Sequence, residues 1–146
     1  MTDGVSLFNA NAAVEAARLL HEAGRLEQAR QAYQHILEQA PQHADSLHLL
    51  GVLAHQTGDH AAAAALIQQA IDTAADQAPA VYHNNMGSAL RASGSHAQAI
   101  VAFADSIRIN PAYAPAYFNL GVALSDEGDW QAALQRFTTA LQLDGD

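Results

Sequence analysis

Eight histidines stand in a chain of 146 residues, and imidazoles in that number are the first groups to examine for chemistry. A neutral imidazole is a ready zinc ligand when several converge on one ion with bonds of about 2 Å. His48 and His55 share a helical face, but they lie two turns apart, or about 10 Å along a helix axis. No two histidines are spaced three or four residues apart, so no helix carries a chelating pair and no metal is expected. Histidine also titrates near neutrality, so a surface that holds several could respond to pH. The carboxylates are no better arranged for catalysis. Asp126, Glu127 and Asp129 surround Gly128 and read as a solvated turn with a helix cap, and the other acids are scattered. Without cysteine there is no thiol nucleophile, no thiolate zinc site and no disulfide. A glycine-rich phosphate loop is also absent. The sequence points away from an enzyme and from any cofactor.

Half of the residues are hydrophobic, which is enough for a continuous core, and 34 of them are alanine, the strongest helix former. Only 14% are charged; the formal charge is −9, carried against six arginines and no lysine. Such a surface repels nucleic acid and anionic lipid, whose phosphates need clustered Lys and Arg. No window has the length and apolarity to span a membrane. The opening MTDGVSLFNA has no basic segment followed by an apolar run, so no secretory leader is expected and the cytoplasm is the default compartment.

The elements that must position the polar residues come from a repeat. Gly24–Ala29–Tyr33, Gly58–Ala63–Ile67, Gly94–Ala99–Phe103 and Gly128–Ala133–Phe137 share one spacing, and their glycines are 34, 36 and 34 residues apart. A period of this length marks stacked supersecondary units. Apolar residues recur at three and four, which is a helical pattern, and alternation is nowhere sustained. First helices are expected over 10–23, 44–57, 79–93 and 113–127, and second helices over 26–39, 60–74, 96–109 and 130–143. The four repeat glycines fall where a helix must stop. Asp59, Ser95 and Asp129 follow as N-caps, whereas Arg25 fills that slot in the first unit and should cap weakly. Pro41 and Pro111 close the first and third units. The second unit has two extra residues around Ala75–Ala78, where a longer helix or loop is expected. Gly51, Gly87 and Gly121 fall in mid-helix, where glycine costs up to about 1 kcal/mol relative to alanine, so close helix contact is expected there. Tyr33, Ile67, Phe103 and Phe137 should fill the gaps between units.

In these positions the chain resembles the tetratricopeptide repeat family. The fourth unit carries Tyr117, Leu120, Gly121, Leu124, Gly128, Ala133 and Phe137; the third carries His83, Met86, Gly87, Leu90, Gly94, Ala99, Phe103 and Pro111. The second has Leu47, Leu50, Gly51, Ala54, Gly58, Ala63, Ile67 and Ala70. The first is degraded at its start, with Ala13, Ala16, Ala17 and Leu20 in place of the pattern. The resemblance implies an all-α, right-handed superhelical solenoid of four helix–turn–helix hairpins. Residues 1–9 would be an N-terminal extension and 10–146 one domain, with repeats at about 10–43, 44–79, 80–113 and 114–146.

The resemblance also implies a site. First helices of this family line a concave groove that holds an extended peptide or a helix of a partner protein. Carried over residue by residue, the groove comprises Arg18, His21, His48, Val52, His55, Val81, Asn84, Asn85, Ser88, Arg91, Phe118, Asn119 and Val122. Asn85 and Asn119 stand where some members grip a peptide backbone with asparagines, and an amide suits that task because it both donates and accepts. They could equally satisfy neighbouring groups. The Lys–Asn–Arg clamp that some members use for a C-terminal carboxylate is not complete here. Trp130 is expected to pack at its hairpin turn. Three functions remain open: an adaptor that binds a protein segment, the substrate-recruiting part of a protein-modifying transferase such as a bacterial glycosyltransferase, and a scaffold that self-assembles through the apolar face of the last hairpin, around Leu134 and Leu141.

Overall fold

Alanine-rich segments with one apolar face form the helices, and glycine turns fold them into hairpins. The computed structural model describes residues 7–145, and within them eight helices follow one another. They are α1 (Ala10–Glu22), α2 (Leu26–Gln39), α3 (Ala44–Gln56), α4 (His60–Ala74), α5 (Ala80–Ala92), α6 (His96–Ile109), α7 (Ala114–Asp126) and α8 (Trp130–Asp144). The helix ends agree with the expected ones to within one residue. Residues 1–6 of the expected extension lie outside the described residues, and Asn9 belongs to the first hairpin because its side chain caps α1 at the Ala12 N–H, 3.1 Å away.

Each turn is made by a glycine in the left-handed region. Gly24, Gly58, Gly94 and Gly128 have φ of +75, +91, +87 and +83°, where a side chain would be strained. Asp59 and Asp129 cap α4 and α8 as expected, each at 3.1 Å from the N–H three residues on. Arg25 makes no cap, also as expected. Ser95 makes none either, which corrects the expectation for α6. The extra residues of the second unit form a 3-10 turn, Ala75–Gln77, entered through Ala75 at φ +51°.

Hairpins stack in chain order. Within each, the mid-helix glycine lets its partner helix close in. A Cβ on Gly87 would lie 2.5 Å from the Phe103 ring, and one on Gly51 would lie 2.7 Å from Ile67. Between hairpins, α3, α5 and α7 pack against α2, α4 and α6 respectively. The first helices also touch each other in succession, whereas the second helices do not. The inner side is therefore tighter than the outer, and the stack curves into a right-handed superhelix with α1, α3, α5 and α7 on the concave face. The core runs along the stack through Tyr33, Ile36, Leu53, Ile67 and Phe103, all fully or almost fully buried. Trp130, by contrast, is exposed at the start of α8, where the chain has just left its turn, so the expected packing is not made.

Candidate functional site

The concave face is organised by bonds between consecutive first helices. One residue of each helix meets the residue one slot further along in the next repeat. In the first rung these two slots hold Val14, buried, and Leu49, which packs against the apolar cluster that Val14 belongs to. Asn85 donates to His48 Nε2 at 2.9 Å in the next rung, and Asn119 donates to Asn84 Oδ1 at 3.0 Å in the one after. A second row runs nearer the helix C-termini. His21 meets Gln56 at 2.5 Å, and the Arg91 guanidinium donates to Asp126 at 2.6 Å. At the equivalent junction between the second and third units the partner slot holds Ala92, and His55 turns instead to His60, Nδ1 to Nδ1 at 2.9 Å. Two further bonds lie nearer the helix N-termini: His43 meets Asn11 at 2.8 Å between the first and second units, and the Tyr82 hydroxyl donates to Asp45 between the second and third.

These rows decide which of the expected groove residues face solvent. His48 and Asn84 do not: both are buried beneath the next helix, which corrects the expectation that they are exposed. Asn85 and Asn119 are half-buried and have amide hydrogens committed to the rungs. Arg91 is not a free cation, since Asp126 neutralises it. Arg18 lies 3.6 Å from Glu15. His21 is held by both Gln56 and the Tyr33 hydroxyl, the latter at 3.1 Å. Val52, Val81, Ser88 and Val122 are half-buried, and Ser88 donates to the Asn84 carbonyl at 3.2 Å. Phe118 is exposed, but it lies at the end of the stack, its ring 5.5 Å from that of Phe137. His55, Ser88, Arg91, Asn119 and Val122 come together around one groove cavity of about 210 Å³.

Electrostatics follow burial. Desolvation pushes His48 down to about 4, helped by Arg18 and opposed by Asp45. His55 is lowered by burial and by the charge of His60. Burial, the hydrogen bond to Asp45 and the charge of that carboxylate all raise the Tyr82 phenol. The Arg91 hydrogen bond holds Asp126 below the usual carboxylate range.

Two partners escaped the sequence reading. His60 is five residues from His55, a spacing no single helix turn brings together; the Gly58 turn does so. Tyr82 is a large residue at a slot where the neighbouring units have Ser46 and Ala116, and that size difference was the available signal. The His55–His60 pair offers two imidazoles, and among the described residues no group of three or more His, Cys, Asp or Glu could hold a metal ion. No helix among them is long and apolar enough to cross a membrane.

A family model described as tetratricopeptide repeat matches residues 8–76, and a second model of the same description matches 90–146. No curated protein matches the chain. Among solved structures, a crystal structure of MamA superposes with a TM-score of 0.82 at 22% identity, over 94% of this chain and 79% of that one. MamA 41-end from Desulfovibrio magneticus RS-1 gives 0.82 at 18% identity, over 93% and 76%. The O-GlcNAc transferase of Thermobaculum terrenum gives 0.73 at 30% identity, over 80% of this chain but 23% of that one. The MamA likenesses show the fold.

Proposed function

We infer the function from one premise: the chain belongs to the tetratricopeptide repeat family. Such repeats form protein-interaction modules, and the repeat domain itself is non-catalytic. The finer reading is that this chain is an adaptor whose concave face holds an extended segment of another protein. The observation that carries it is the groove cavity between the second, third and fourth units. There His55, Ser88, Arg91 and Asn119 bring polar groups to a wall floored by Val122. A segment that alternates polar and apolar side chains matches that lining, and its backbone could bond to the Asn119 and Ser88 oxygens.

The test compares capture from source lysate, read by mass spectrometry, by the natural chain and by a Ser88→Glu/Val122→Arg variant. Both changes fall on half-buried positions beside the cavity, so circular dichroism must first show an intact fold. A protein held by the natural chain and lost with the variant supports the groove. The same protein held equally by both overturns it.

The identity of 30% to the Thermobaculum terrenum O-GlcNAc transferase, over 80% of this chain, favours a second reading. In it the repeats recruit protein substrates to a glycosyltransferase domain in the same gene product. The chain spans less than a quarter of that enzyme. A glycosyltransferase domain encoded in frame beyond residue 146 supports this reading, and an unrelated or absent one removes it.

A further inference from the structure

We propose that the last hairpin receives the first hairpin of a second copy of this chain, head to tail, through the same contact that joins neighbouring hairpins within it. Inside the chain each hairpin presents an apolar strip to the next. In the third hairpin that strip is Ile100, Phe103 and Ile107 of α6, and it closes on Leu120 and Ala123 of α7. Thirty-four residues further on, α8 carries Leu134, Phe137 and Leu141 at the same positions. Leu134 and Leu141 are 67% and 73% exposed. Phe118, Phe137 and Leu141 wall a cavity of about 480 Å³ with Pro115 at its edge. An exposed apolar surface of this kind marks an interaction site.

The chain also shows what fits such a strip. On α3, α5 and α7 the residue facing the preceding hairpin at mid-helix is Leu53, Ala89 or Ala123, each 0% exposed. On α1 that residue is Leu19, and it is 67% exposed. Ala12 stands where Ser46, Tyr82 and Ala116 are buried, and Ala16 stands where Leu50, Met86 and Leu120 pack. So α1 carries the docking face of a first helix and α7–α8 carry the receiving face. The two are halves of an interface that the chain already makes three times internally. A contact between different faces of identical chains closes into a ring only if its rotation allows; one that repeats the internal hairpin-to-hairpin step continues the superhelix and builds open rows of hairpins.

Two features keep the contact weak. Glu15 occupies the slot of Leu49, Asn85 and Asn119, and in the same register it would face Phe118. The formal charge of −9 adds repulsion between copies, which salt screens. Association should therefore strengthen as salt is raised.

The test is sedimentation or light scattering over a wide concentration range in high salt, with Leu19→Glu and Leu141→Glu as variants. Both residues are exposed, and circular dichroism checks that the fold is kept. The natural chain is expected to gain mass with concentration, and each variant alone to remain a monomer. Mixed one to one, the variants should form a heterodimer and nothing larger, because each retains the face the other has lost. A natural chain that stays monomeric overturns the proposal, as does a mixture no more associated than its components. If Leu141→Glu abolishes association while Leu19→Glu does not, the contact joins two receiving faces and the head-to-tail arrangement is wrong.

Discussion

The Asn85 amide donates to Nε2 of His48 at 2.9 Å, joining residues 37 positions apart. The acceptor nitrogen must be unprotonated, so the bond selects neutral His48 with its proton on Nδ1. The ring also stacks on Tyr82, centroids 4.3 Å apart, inside the wall of the stack. Burial, packing and the hydrogen bond therefore favour the same protonation state.

A pH dependence follows. Burial pushes His48 from its ordinary value of 6.5 down to about 4, so between those values the unfolded chain binds a proton that the folded chain refuses. The stability from this group is fully present above pH 6.5 and is lost as pH falls toward 4. The shift corresponds to about 3 kcal/mol. Urea denaturation from pH 7 to pH 4 should show a steeper loss in the natural chain than in His48→Gln. By NMR, the His48 ring should titrate near 4; titration near 6.5 would contradict this account.

The Asn84–Asn119 rung predicts a non-additive pair. Asn84 is buried, so Asn119→Leu leaves its oxygen without a donor and should cost about 1–3 kcal/mol. Asn84→Val alone removes the acceptor of the Asn119 amide, which is half-buried and open to water at the groove, so it should cost less. The double variant copies the Val14–Leu49 rung that the chain already uses, and its stability should return to near that of the natural chain. A double-mutant cycle by chemical denaturation reads the coupling; simple additivity would show that the rung is not a unit.

Two kinds of glycine should fail differently. Gly87→Ala drives a Cβ to 2.5 Å from the ring of Phe103, which is almost fully buried, and should cost about 1–3 kcal/mol through overpacking. Gly121→Ala meets Phe137 at 2.7 Å, but that ring borders an open end and can move, so the cost should be smaller. Gly94→Ala meets nothing within 4 Å; its penalty comes from φ of +87° and should be about 1–2 kcal/mol. Melting curves of the three variants give the order.

Asp126→Asn should leave the melting temperature near that of the natural chain, because the Arg91 pair is solvent-exposed and such pairs contribute little. It should also free the guanidinium at the edge of the groove cavity. Peptides bearing a carboxylate should then bind more tightly, an effect that fluorescence anisotropy at low and moderate salt can follow. Unchanged affinity would show that Arg91 does not meet the bound segment.

Helices and turns were legible because their signals are local. A glycine that must take a positive φ, an aspartate three residues before an orphan N–H and an apolar stripe each act within one turn of their position. Asp59 and Asp129 cap as their types require, although Ser95, with the same capacity, leaves its slot unused. The groove was less legible because exposure there depends on the neighbouring repeat. His48 and Asn84 look outward on the wheel of their own helices, and only the approach of α5 and α7 covers them. Asn85 and Asn119 were recognised as amides in a special slot, but their partners sit 37 and 35 residues upstream, where no local pattern points.

The three rungs between first helices are chemically different: apolar at Val14–Leu49, imidazole to amide at His48–Asn85, and amide to amide at Asn84–Asn119. Near-identical units invite assembly in the wrong order, and repeat proteins misfold in that way. If the fourth unit docked on the first, Asn119 would meet Val14 and its amide would lose its bond. If the second docked on the third, Leu49 would cover Asn84 and strand an amide in the wall. The order written in the chain satisfies all three rungs and the two misdockings do not, so the row of side chains beneath the groove also works as a spelling check during folding.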